Sequence, residues 1–258
     1  MLHTDLSATG VLTLAMDAPP ANTLSEAMIA ALTAAIEQPG DDVRVIVLEA
    51  RGRLFCAGHD LKEMTAHRND PDRGRAYFAD IMGRCAALML AIVGSPRPVI
   101  AKVDGLATAA GCQLVATCDL AVASTAARFC TPGVNIGLFC STPMVALSRN
   151  LVRKKAMEML LLGEEMSADD ALHFGLVNRV VAPPALDAAV YEMAERIASK
   201  STHVLKIGKQ AFYAQASMSM AQAYDHCAAV MVDNMLARDA EEGIGAILEK
   251  RAPVWSDR

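Results

Sequence analysis

Apolar residues in this chain follow two alternating periods. "GVLTLAM", Gly10–Met16, alternates, and "VRVIVLEA", Val43–Ala50, is a β-branched run of strand length; both predict strands. Between them, "TLSEAMIAALTAAIEQPG" repeats its apolar residues at helical spacing, with Ser25 placed to cap the start and Pro39-Gly40 to stop it. Strand, crossover helix and strand are the grammar of an α/β fold.

The pattern then recurs. After "RGRLFCAGHDLKEM" a polar stretch, "TAHRNDPDRGR", leads into a predicted helix, "AYFADIMGRCAALMLAIVG". "RPVIAKVDG" predicts a strand begun by Pro98, "AAGCQLVATCD" a short helix, and "LAVAS" another strand. A third round is "ARFCTPGVNIGLFCSTP", followed by one helix over "MVALSRNLVRKKAMEMLLLG". In "SADDALHFGLVNRVV", Ser167 is a cap with Asp170 three residues on, and Gly175 is a stop before a strand. From Pro183 onward the pattern is helical until a strand signal in "RAPVW". This shift predicts a body over residues 1–195 and a C-terminal helical region over 196–258, suited to subunit contacts.

Composition narrows the partners. A chain of 258 residues is long enough to bury a full core. With 24 Lys+Arg against 29 Asp+Glu and no clustered basic run, nucleic acid is not expected as a partner. Seven cysteines without a CxxC pair predict buried thiols in a reducing compartment, with neither a disulfide framework nor a zinc site. The opening "MLHTDLSATG" carries neither a basic region with an apolar core nor an Arg-rich presequence, and no window reaches the ~18 apolar residues of a membrane span. A soluble cytoplasmic protein without membrane contact is the expectation. Apolar residues at 53% with 15 Met predict apolar surface hidden in a homo-oligomer.

Most familiar chemistry is missing. There is no GxGxxG after a strand, no GxxxxGK[ST] and no GxSxG, and the six histidines show no ligand spacing, so no metal is expected. Two turns remain. In "FCAGHD", Phe55–Asp60, and in "ATAAGC", Ala107–Cys112, small residues open into a helix and leave free amides at its N-terminus. Either turn alone is more often a matter of close packing. Facing each other, they would make an oxyanion hole for a forming enolate. Cys140 and Ser141 in "GLFCSTP" are a candidate nucleophile pair, although a cysteine in an apolar stretch is usually inert.

Taken in order, "FCAGHDL", "PVIAKVDGLATAAGCQLVATCDLAVAS", "RFCTPGVNIGL", "SADDALHFGLVNRVV" and "EGIGAILEKRAPVW" resemble the crotonase superfamily, the enoyl-CoA hydratases and isomerases, from about residue 10 onward. The resemblance implies an α/β fold, a crotonase-like spiral of ββα units with a C-terminal helical trimerisation region, assembled as a homotrimer or a dimer of trimers. It implies an acyl-CoA or enoyl-CoA substrate of fatty acid metabolism, with coenzyme A as part of the substrate and no prosthetic group. By position, the backbone N–H groups of His59 and Ala110 would hold the thioester carbonyl. Ala57, Asp60, Leu61 and Lys62 would run along the adenine and phosphates, and Lys250 would reach the nucleotide end from a neighbouring subunit.

The departures lie at the acids. Where hydratases carry two glutamates this chain has Gln113 and Gly133, and the usually Gly-rich loop is Phe139-Cys140-Ser141-Thr142-Pro143. Water addition needs a base and an acid, each contributing about 10²–10⁴-fold. Three readings stay open: an enzyme with altered chemistry, in which Cys140, Ser141 or the His59 side chain moves the proton; a non-catalytic acyl-CoA binder or assembly subunit; and a plain hydratase.

Overall fold

The computed structural model describes residues 1–257 as ten strands and eleven α-helices. The strands are β1 (Leu2–Leu6), β2 (Val11–Met16), β3 (Val45–Ala50), β4 (Leu54–Cys56), β5 (Val99–Val103), β6 (Leu106–Thr108), β7 (Leu120–Ser124), β8 (Arg128–Cys130), β9 (Met166–Ser167) and β10 (Arg179–Val181). The helices are α1 (Glu26–Glu37), α2 (Leu61–Ala66), α3 (Arg75–Gly94), α4 (Ala110–Thr117), α5 (Pro143–Asn150), α6 (Arg153–Leu162), α7 (Ala168–His173), α8 (Leu186–Ala198), α9 (Thr202–Gln215), α10 (Met220–Met235) and α11 (Arg238–Glu249).

Two sheets share the strands. The larger runs β1-β2-β3-β5-β7-β10 and the smaller β4-β6-β8-β9. Pairing is parallel except between β1 and β2 and between β8 and β9. Each turn of chain lays one strand in the larger sheet, the next in the smaller, and then a helix: β3, β4 and α2; β5, β6 and α4; β7, β8 and α5. The first turn is abbreviated, with Leu24 standing in for a strand through a single bridge to His59. This is the ββα spiral, and alternation between sheets is the feature that a simple strand–helix–strand reading misses.

The period-two pattern of the long strands explains the layers. Val11, Val45, Val47, Ile100 and Val122 face α8, which returns Leu186, Val190, Ala194 and Ala198 from one stripe. The intervening Leu12, Leu14, Ile46 and Leu48 face the main core with α1, α3 and the buried rings of Phe55 and Phe129. Both faces are covered, as a parallel sheet requires. Leu186 and Val190 of α8 each contribute about 1.5–3 kcal/mol by burial. The division after residue 195 therefore falls inside a helix that packs on the sheet down to Ala198. The following helices pack on one another, α9 on α10 and α10 on α11.

Several elements differ from the sequence expectation. The segment 143–162 is two helices, because Leu151 and Val152 are extended and the Asn150 side-chain amide donates to the carbonyls of Ala116 and Ala146. "RAPVW" is not a strand; Trp255 Nε1 donates to the Ser199 carbonyl, and the next two amides bond to Asp239. β1, unannounced by periodicity, pairs only with β2 and leaves its outer residues exposed. α3 is long and apolar enough to cross a membrane by length and composition, yet Ile81, Cys85, Leu88 and Ile92 are core residues.

Candidate active site

β4 and β6 lie side by side and parallel, with Leu54 opposite Leu106 and Cys56 opposite Ala107. The two small-residue turns therefore leave the same edge of the smaller sheet. After β4 the chain reaches Gly58 at φ +86°, and Asp60 then caps α2, its Oδ1 accepting the N–H groups of Lys62 and Glu63 at 2.8 and 3.3 Å. After β6 comes Ala109 at φ 51°, ψ −120°, then α4. A non-glycine residue in that region costs on the order of 1–3 kcal/mol. It is held there by its N–H donating to the Cys130 carbonyl at 2.9 Å and its own carbonyl accepting the Gln113 N–H at 3.0 Å.

The turns are in contact. A Cβ added to Gly58 would lie 3.0 Å from the Ala109 Cβ and 3.2 Å from the Ala110 nitrogen. One added to Gly111 would lie 2.3 Å from the Cys56 carbonyl oxygen, so the start of α4 sits directly on the end of β4. Among the described residues, the N–H groups of His59 and Ala110 donate to no other protein group. Two free amides on touching turns, one of them at a helix N-terminus, have the chemistry of an anion or oxyanion site.

Unpaired buried polar atoms gather on the same segments. His59 Nδ1 and Nε2, Gln113 Oε1 and Thr131 Oγ1 all lack a protein partner. Such atoms are normally bonded; Tyr77 OH, Arg97 Nε, His226 Nε2 and Asn234 Oδ1, away from these segments, also lack a partner among the described residues. Gln113 is 4% exposed and Thr131 wholly buried. Burial pushes the His59 imidazole below its ordinary value, leaving the ring neutral at pH 7.

Gly133, where the resemblance implies a second glutamate, is closely packed. It is buried in a 3₁₀ turn, Pro132–Ile136, and a Cβ added to it would lie 2.9 Å from the Cys140 sulfur. Burial pushes the Cys140 thiol up, away from the thiolate a base would need. The Cys112 thiol is raised first by burial and then by the Cys130 and Cys140 thiols. Ser141 is exposed and its hydroxyl donates to the Phe139 carbonyl at 3.4 Å, with no histidine or carboxylate partner among the described residues. A Cys140–Ser141 nucleophile pair thus lacks an activating group.

Of the other expected positions, Ala57 is half-buried and donates to the Ala21 carbonyl, while Leu61 and Lys62 are exposed on α2. Lys250 is exposed at the end of α11, which packs on α10. Sequence reasoning passes over the Thr131 hydroxyl, because nothing local distinguishes it from a threonine ending a strand. A cavity of about 580 Å³ lies elsewhere, between α9, α10 and α11, lined by Val204, Leu205, Met235, Ile247 and Trp255.

Comparison with known proteins gives the geometry a context. The enoyl-CoA hydratase/isomerase family model matches residues 7–258. The chain is 47% identical over 237 residues to mouse enoyl-CoA hydratase domain-containing protein 3, mitochondrial, covering 91% of this chain and 77% of the relative. A crystal structure of an enoyl-CoA hydratase from Mycobacterium smegmatis superposes with TM-score 0.93 at 52% identity, covering 98% of each chain. The human enoyl-CoA hydratase domain-containing protein 3 structure superposes with TM-score 0.93 at 46% identity, covering 98% of this chain and 99% of that one.

These names overturn the cytoplasmic expectation, since the mouse, rat, human and frog relatives are all called mitochondrial. The opening residues behind that expectation, Leu2–Leu6, form β1. Fold, matched span and identity agree: the chain has the crotonase fold and belongs to the enoyl-CoA hydratase/isomerase family.

Proposed function

We propose that this chain binds an acyl thioester of coenzyme A and polarises its carbonyl between the N–H groups of His59 and Ala110. The observation that carries the reading is the pair of unengaged amides on two turns packed against each other. Two hydrogen bonds to one oxygen stabilise an enolate or a tetrahedral thioester intermediate more than the ground state, which is what makes such a hole catalytic. The Ala57–Lys62 segment lies along the coenzyme A moiety, and no prosthetic group is needed. Lys250 joins the nucleotide end from a neighbouring subunit in a homotrimer or dimer of trimers. Exposed Tyr224, Leu236, Ile247 and Leu248 on the C-terminal helices support such an assembly.

Efficient hydration of an enoyl-CoA is not part of this function. Gln113 can orient a water but cannot exchange its proton, and Gly133 carries no side chain. Enoyl-CoA absorbance is expected to persist when enzyme is added; loss at the ~10 s⁻¹ typical of enzymes would refute the reading. Titration with acyl-CoAs of several chain lengths, with product followed by mass, separates altered chemistry from binding alone. A non-catalytic binder or assembly subunit is the second reading, favoured by the uncharged set Gln113, Thr131 and Cys140, and it predicts binding with no product.

A further inference from the structure

We propose that Cys140 determines the reaction specificity of the thioester site by filling the space into which a side chain from residue 133 would grow. The inference rests on the acyl-thioester reading and adds to it a structural cause for the missing second acid. A Cβ built on Gly133 would lie 2.9 Å from Cys140 Sγ, 3.0 Å from the Leu138 carbonyl oxygen and 3.4 Å from the Cys140 nitrogen. Real Cβ atoms essentially never come within 3.0 Å of another heavy atom, so any side chain at 133 requires the sulfur to move.

The sulfur is not placed to yield. Its residue is 9% exposed and lies close to the Cys112 and Cys130 thiols. Gly133 and Cys140 are therefore one exchange rather than two substitutions: absence of a side chain at one position and a thiol at the other occupy a single volume. What that volume presents is a neutral thiol, a weak hydrogen-bond donor and no base at neutral pH. With the unpaired oxygens of Gln113 and Thr131 on the adjoining segments, the site offers groups that bond but do not trade protons.

Two experiments on the full chain test this. Gly133→Ala is made with Cys140 present and in a Cys140→Gly background, and thermal midpoints form a double-mutant cycle. The midpoint is expected to fall markedly with the thiol present and much less without it; the Leu138 carbonyl contact is common to both and cancels. Equal falls would overturn the proposal. In a Gln113→Glu background, Gly133→Glu is then assayed for hydration of a 2-enoyl-CoA with Cys140 and with glycine at 140. A gain on the order of 10²-fold or more is expected only when the thiol is removed. Equal rates in the two, whether both raised or both at background, would overturn it. Titration of the wild type with an acyl-CoA reports the thioester reading separately: absence of binding defeats that reading, while the midpoint cycle still decides whether Cys140 fills position 133.

Discussion

Gly58 and Ala110 approach so closely that a Cβ on the glycine would lie 3.2 Å from the Ala110 amide nitrogen, and Gly58 holds a φ of +86° that side chains rarely adopt. Gly58→Ala is accordingly strained twice, in its own backbone and against the neighbouring turn. It is expected to cost about 1–3 kcal/mol of stability and to weaken acyl-CoA binding by splaying the two amides. Calorimetric titration and a denaturant melt check both parts. Undiminished binding at full stability would remove the two-turn hole from the proposed function.

Lys209 fastens the C-terminal helices to the body. Its Nζ, almost fully buried, donates to the carbonyls of Ile92 and Arg97 and to Asp119 Oδ2 at 2.7 Å, while the Tyr213 hydroxyl donates to Asp119 Oδ1 at 2.9 Å. Lys209→Met leaves that carboxylate buried without its cation, and a loss of about 3–5 kcal/mol is expected in urea unfolding. Adding Asp119→Asn should recover part of it. A single-variant loss below about 1 kcal/mol would show that solvent reaches the pair, as at a surface bridge.

The neutral imidazole of His59 makes stability depend on pH. Burial lowers its folded value, so the unfolded chain takes up a proton first as pH falls, and stability rises with pH wherever the unfolded state holds more protons. The contribution is complete above the ordinary histidine value and is lost as pH drops below it, a window distinct from the carboxylates at lower pH. The thermal midpoint should fall between pH 7.5 and 5.5, and His59→Gln should flatten that slope. An unchanged slope would mean that the ring is solvated.

Asp239 gathers the tail. Its carboxylate accepts the Ser256 N–H and hydroxyl at 2.7 and 2.8 Å and the Asp257 N–H at 2.9 Å. Burial alone would push this carboxyl up, but hydrogen bonds from Ser201, Ser256 and Asp257 hold it below its ordinary value. Asp239→Ala leaves those donors unpaired and should cost about 1–3 kcal/mol. Trp255 is the only tryptophan, so its fluorescence reports the release directly through a shift to longer wavelength. No shift would mean that the Trp255–Ser199 bond and the Arg44–Asp257 ion pair suffice to hold the tail.

Periodicity announces β2, β3, β5, β7, α1 and α3 because each is long and buried on at least one face. The three-residue strands β4, β6 and β8 carry no period, so the smaller sheet is legible only through the family resemblance. The break at Leu151 depends on Asn150 reaching Ala116, a tertiary bond that no local pattern encodes. Both turns of the site are visible as small residues, because Gly58 and Gly111 are demanded by close backbone approach. The Gly133–Cys140 contact is invisible in the sequence, since it depends on how the intervening loop folds back.

The proposed hole is made of main chain. Every residue except proline brings the same N–H, so a replacement other than proline removes this part of the site only by bending the backbone. Descent with the fold would therefore transmit the proposed carbonyl clamp whole, while the groups that move protons would be free to drift one codon at a time. A lineage can thus change what happens to a thioester without losing its grip on one.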